Sequence, residues 1–95
     1  MLETADLDRH CAALPPAGTA AHYLHKLAEA NEEISRADAS GSLSVLWLAY
    51  AAWWDVRAQW DIAEGRDDSA ARRRRNAEEC RSKAQKAEEA ADANG

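Results

Sequence analysis

Four tryptophans, Trp47, Trp53, Trp54 and Trp60, fall within fourteen residues of this 95-residue chain. They belong to the run LSVLWLAYAAWWDVRAQWDI from Leu43 to Ile62, which holds 11 of the 19 large apolar residues (Val, Ile, Leu, Met, Trp, Tyr); none follows Ile62. So much apolar surface on one segment covers more than one narrow face. A helix apolar around so much of its circumference is central in its fold or sits at a subunit contact. The sequence therefore turns on what packs against this segment.

Ninety-five residues make one small domain. A domain of this size buries only about 60–65% of the surface its unfolded chain exposes, so its stability is marginal. Small scaffolds commonly add a disulfide, a metal or a second subunit. The two cysteines, Cys11 and Cys80, lack the close spacing of metal ligands. The start MLETADLDRH lacks a basic stretch followed by an apolar one, so no secretory leader is expected. The run from Leu43 to Trp54 is interrupted by Asp55, well short of the roughly 20 apolar residues of a spanning helix. The expectation is a cytoplasmic protein with reduced thiols and no membrane contact. Arginine outnumbers lysine nine to three and alanine is abundant, a composition typical of GC-rich coding. The net charge of −5 divides unevenly, about −6 over residues 1–65 and +1 over 66–95. Neither part is basic enough to mark a nucleic-acid binder by balance alone.

No stretch alternates with a two-residue period or is rich in β-branched residues, and helix formers dominate. The expected fold is all-α: a small antiparallel bundle of three to four helices, with a Trp-rich central helix and an Ala-rich, charged C-terminal helix. A short helix is expected over about 5–13, with Thr4 as N-cap and Asp6 and Asp8 near the positive end of its dipole. Leu7, Cys11 and Leu14 form its apolar stripe, and Pro15-Pro16 stops it. A helix over about 20–39 follows, capped by Thr19, with Leu24, Leu27, Asn31 and Ile34 as the expected buried seam. Asn31 in such a seam would fix register at some cost in stability. Gly41 suits the left-handed position after that helix, and Ser42 can cap the next.

The central helix is expected over about 43–64, with Leu43, Leu46, Trp47, Tyr50, Trp53, Trp54 and Trp60 on one side. Val45, Leu48, Ala52, Val56 and Ile62 lie toward another side. Gly65 favours a break before a helix over about 67–92, which Asp67, Asp68 or Ser69 could cap. Its stripe consists of small residues: Ala70, Ala77, Cys80, Ala84, Ala87 and Ala91. Such residues permit close approach but bury little area. The spacings Asp68–Arg72, Arg74–Glu78, Arg75–Glu79 and Glu79–Lys83 suit i, i+4 ion pairs.

Several motifs carry chemistry on paper. His22, His25 and Glu29 share one helix face at metal-ligand spacing, yet the stripe continues through Glu32, Glu33 and Arg36 as a solvated face does. No metal and no cofactor is expected. Arg72, Arg73, Arg74 and Arg75 form the strongest basic cluster, a candidate contact for nucleic acid or an acidic partner. Consecutive residues spread around a helix, and Asp67, Asp68, Glu78 and Glu79 flank them, so a salt-paired solvated helix is the plainer reading. No nucleophile–base arrangement or glycine-rich phosphate loop is legible.

The stretch KLAEANEEI, with Glu29-x-x-Glu32, resembles the first motif of the all-α nucleotide pyrophosphohydrolases of the MazG type. That resemblance implies a second carboxylate pair near AAWWDV, where Asp55 fits but Ala52 stands in place of a glutamate; Glu64-x-x-Asp67 fits by letters across Gly65. It would imply magnesium-dependent hydrolysis by converging carboxylates. Trp54, Ala58, Gly65, Ala70 and Ala77 match signature spacings of a tetratricopeptide helical hairpin, but no second copy follows. We read them as tight packing of two helices.

The expected function is that of a non-catalytic protein–protein interaction module: an adaptor, a regulatory subunit or a mobile-element inhibitor. Its contact residues would be Trp47, Tyr50, Trp53, Trp54 and Trp60. The expected partners are a second copy, as a homodimer, and a further protein. The MazG-like enzyme is the alternative, and a nucleic-acid binder acting through Arg72–Arg75 is the third reading.

Overall fold

A computed structural model describes residues 15–94 of the chain. Three helices and no strand make up the described residues: α1 (Ala20–Ser40), α2 (Leu43–Ala63) and α3 (Asp67–Asn94). The helix expected over 5–13, with Cys11, lies outside them. Thr19 caps α1, its hydroxyl accepting the His22 amide at 3.2 Å and donating to the Pro16 carbonyl at 2.8 Å. Gly41 ends α1 at a φ of 75°, the left-handed conformation glycine adopts without a Cβ clash. Ser42 then accepts the Val45 amide and starts α2. Gly65, at a φ of 77°, separates α2 from α3, the break expected at this glycine. The Arg66 carbonyl accepts the first helical bond of α3, from Ala70, which places Asp67 and Asp68 inside the first turn, where their charge suits the dipole.

Two short connections make successive helices antiparallel, and the side chains agree. Tyr23 stacks on Trp60, Arg81 reaches Asp55, and Lys83 lies over Trp47. α2 is the middle helix: α1 packs on one flank and α3 on the other, and no Cα of α1 comes within 8 Å of one in α3. The result is a layer measuring 57 × 36 × 12 Å, with a radius of gyration of 17.0 Å. A compact domain of this length would have a radius near 12 Å.

Alanine explains the layer. The buried residues are Leu27, Ala30 and Ala37 of α1, Ala51, Ala58 and Asp61 of α2, and Ala70, Ala77, Cys80 and Ala84 of α3. The seven-residue spacings of Ala30–Ala37, Ala51–Ala58 and Ala70–Ala77–Ala84 put a small side chain at each second turn. Helices meeting on such rows approach closely, and larger neighbours are squeezed to the rims. This corrects the expected seam of α1. Leu27 is buried and Ile34 half-buried, but Leu24 is 57% exposed and Asn31 is exposed. The contact row instead includes Ala30 and Ala37, so Asn31 sets no buried register.

Candidate functional site: an aromatic face rimmed with cations

A layer has two faces, and here they differ. On one, an open groove of about 400 Å³ runs between α1 and α2, lined by Glu33, Arg36, Val45, Leu48, Ala49 and Ala52. This is the aliphatic side of α2. Val45 and Leu48 are exposed on it, and Asp55 meets Arg81 of α3 at 2.9 Å. Charged residues from the flanking helices therefore border a modest aliphatic strip.

The other face collects the aromatics. Leu46, Tyr50, Trp53 and Arg57 follow one another at i, i+4, i+7 and i+11, which is one stripe of a helix. Trp47 tilts against Tyr50, with ring centroids 6.1 Å apart, and Trp53 meets Trp54 edge-to-face at 4.9 Å. Toward α3 this face continues through Asn76, Cys80 and Lys83, which line a hollow with Trp54. Toward α1 it continues through Asp38, which lines a hollow with Leu43 and Leu46. Asn31 and Leu24 lie one and two heptads before Asp38 and so belong to the same side. Leu43 is 57% exposed, and Tyr50 is exposed as well.

Cations sit on the indoles. Lys83 Nζ is 4.7 Å from the Trp47 ring centroid, and the Arg73 guanidinium is 5.5 Å from that of Trp54. Each contact is worth about 0.5–1 kcal/mol at an exposed site and more when dry. Arg73 is held from below by Asp61, whose carboxylate is 2% exposed; Asp61 Oδ2 is 3.4 Å from Arg73 Nε, and its Oδ1 is 3.4 Å from Arg66 Nε. Arg57 lies 5.2 Å over Trp60, and among the described residues its buried Nε has no hydrogen-bond partner.

The contact residues expected from sequence thus divide. Trp47, Tyr50, Trp53 and Trp54 share the face. Trp60 turns into the α1–α2 seam, stacked on Tyr23 at 6.1 Å with its Nε1 donating to Glu64 at 3.0 Å. All four tryptophans are half-buried. The arginine cluster divides too. Arg72, Arg74 and Arg75 are exposed, whereas Arg73 is drawn onto Asp61 and Trp54. Of the four expected i, i+4 pairs, Glu79–Lys83 forms, at 3.8 Å, while Arg72 donates to the Ser69 hydroxyl at 3.1 Å. Sequence reasoning missed Leu24, Arg57, Asp61 and Lys83. The seven-residue row Trp47–Trp54–Asp61 was the available signal for Asp61.

The carboxylates of the MazG-like resemblance are dispersed. Glu29 and Glu32 lie on α1, Asp55 is engaged by Arg81 on the far flank of α2, and Glu64 and Asp67 bracket the second loop. His25 approaches Glu29 at 3.5 Å, and His22 meets the Tyr23 ring edge-on. Among the described residues no three His, Cys, Asp or Glu side chains gather to hold a metal ion. No described helix is long and apolar enough to cross a membrane. No protein-family model matches the chain, and neither does any curated protein or solved structure.

Proposed function

We propose that this chain is a non-catalytic protein-interaction module that works through its aromatic face, with a second copy of itself as the first partner. One observation carries the reading: the described helices form a single layer, glued by alanine, that leaves large apolar side chains on its surfaces instead of in a core, with the aromatics Trp47, Tyr50, Trp53 and Trp54 gathered on one face. Domains are ordinarily built from two or three packed layers around one core. Here Leu24, Leu43 and Tyr50 remain exposed beside half-buried Trp47, Trp53 and Trp54. Such a patch of aromatics rimmed by Arg and Lys has the composition of an interface centre, where a few aromatic and arginine residues carry most of the binding energy. A second layer supplied by a partner would complete the core.

The test uses the two faces against each other. Leu43→Asp with Tyr50→Asp places charge on the aromatic face; Val45→Asp with Leu48→Asp places it on the aliphatic face. All four positions lie on α2 near its exposed surface, so both variants should stay helical. Sedimentation velocity of the two should show self-association lost in the first pair and kept in the second. The reverse pattern would move the interface to the groove beside Val45 and Leu48. Equal association in both would remove α2 from the contact.

A further inference from the structure

We propose that two copies pair through their aromatic faces with α2 antiparallel to its copy, so that Arg57 of each chain meets the partner's Asp38. This deepens the self-association reading and rests on it: the second copy supplies a carboxylate to Arg57. Arg57 follows Leu46, Tyr50 and Trp53 on the central stripe of that face. Its Nε is buried without a hydrogen-bond partner, and its guanidinium joins no carboxylate among the described residues. A buried guanidinium nitrogen is costly to leave unbonded, and a carboxylate is its strongest acceptor. Asp38 is exposed at the α1 edge of the same face, beside Leu43 and Leu46. It joins no cation among the described residues. The two cannot meet within one chain. Tyr23 opposite Trp60 sets the α1–α2 register, which puts Asp38 level with Val45. Arg57 lies twelve residues further along α2, about 18 Å at the rise of a helix.

A closed pair of identical chains has a two-fold axis, so residue i meets j as j meets i. Two layers laid face to face with aligned helices have two such arrangements. With α2 parallel to its copy, Arg57 would lie over the partner's Arg57, and like charges repel. With α2 antiparallel, Arg57 falls on the partner's Asp38 when the axis passes midway between Val45 and Arg57, at the level of Ala51. Tyr50 and Trp53 flank that level, so the aromatics pack on one another at the axis. The same axis accounts for the rim on α1. Leu24 is level with Gln59, eight residues to one side of Ala51, and Leu43 lies eight residues to the other. Leu24 therefore meets the partner's Leu43, and each is 57% exposed in the single chain. Exposed Asn31 is level with Ala52, beside the axis, where an amide can both donate to and accept from its own copy. One register thus pairs charge with opposite charge, leucine with leucine and amide with amide.

Charge reversal in the full chain tests this. Asp38→Arg and Arg57→Glu should each weaken dimerisation about 100-fold, one factor of ten for each of the two symmetric contacts. The double variant, Asp38→Arg with Arg57→Glu, should recover to within about ten-fold of the native dimer, because the exchanged charges still meet across the axis. Sedimentation equilibrium gives the constants, and circular dichroism checks that the helices persist. Should Arg57→Glu fail to fold, a geometric probe remains. Leu24→Cys with Leu43→Cys, both at exposed positions, should link two chains through these two positions under mild oxidation, as identified by peptide mass. Within one chain the two sit sixteen residues apart in level, about 24 Å, too far to bridge. Native constants unchanged by either reversal, a double variant weaker than both single ones, or linkage of Leu43→Cys only to its own copy overturns the pairing. In those outcomes the native protein still dimerises and the self-association reading stands; a native protein that stays single overturns both.

Discussion

Arg73 reaches across from α3 to Asp61 on α2, its Nε 3.4 Å from an oxygen of a carboxylate that is 2% exposed. Asp61 is the only charged residue buried among the described residues, and Arg66 approaches its other oxygen. Removing one member of a buried pair leaves an uncompensated charge, which typically costs about 3–5 kcal/mol. Here the charges left behind, Arg66 and Arg73, are 54% and 32% exposed and can hydrate, so Asp61→Ala should cost less, about 1–3 kcal/mol. Asp61→Asn, which keeps the shape, should cost less. Chemical denaturation of the two variants checks this; if Asp61→Ala matched the native stability, the cluster would have no structural role.

The alanine rows set how closely the helices sit. Ala77 is 0% exposed between α2 and α3. Ala77→Leu should therefore force the helices apart and cost about 1–3 kcal/mol. For a domain this small, each kcal/mol lowers Tm by roughly 4–8 °C. Ala71→Leu, on an exposed position of the same helix, should leave Tm nearly unchanged.

Opening of α3 should be graded along its length. Ala70, Ala77, Cys80 and Ala84 are buried, but residues 88–93 are exposed. Amide exchange should be slow around Cys80 and fast beyond Glu88, since segments with few buried contacts open locally. Uniform protection to residue 93 would require a cover for the end of the helix. The close packing of Ala70, Ala77 and Ala84 should confine early opening to the last turns.

Burial pushes the Cys80 thiol above its ordinary value. The fold thus favours the neutral thiol. That preference costs nothing below the ordinary thiol range, and stability falls as pH rises from there toward the raised value, because the unfolded chain ionises first. Cys80 should resist alkylation at neutral pH until denaturant is added; rapid labelling in the native protein would contradict its burial.

How much of this was legible depended on the interaction. Caps are local, so Thr19, Gly41, Ser42 and the break at Gly65 could be read from neighbours in sequence. The α1 seam was placed on Leu24 and Asn31 because size suggested burial; the helices instead close on Ala30 and Ala37, and the leucine is left at the rim. Cross-helix pairs were invisible. Arg73 reads as one of four arginines in a row, and only the antiparallel α2–α3 register brings it to Asp61 and Trp54. The aromatic cluster was evident from spacing, but Trp60 facing Tyr23 required the α1–α2 packing.

Trp53 and Trp54 should matter more than the exposed arginines. Replacing both by alanine removes edge-to-face and packing contacts, and half-buried indoles should each cost at least about 2 kcal/mol. Neutralising Arg72, Arg74 and Arg75 should change stability by less than about 0.5 kcal/mol each, while Arg73→Gln should cost more. Melting curves separate the three cases. If the triple arginine variant instead lost all partner binding while folded, the basic helix would be the working surface.

We propose that a second copy of the chain covers the aromatic face. Light scattering of the native protein at micromolar concentration measures this most directly. The expected molar mass is about twice the 10.4 kDa of one chain, falling to the single-chain value in the Leu43→Asp, Tyr50→Asp variant. A native species that stays at 10.4 kDa across that concentration range would contradict it.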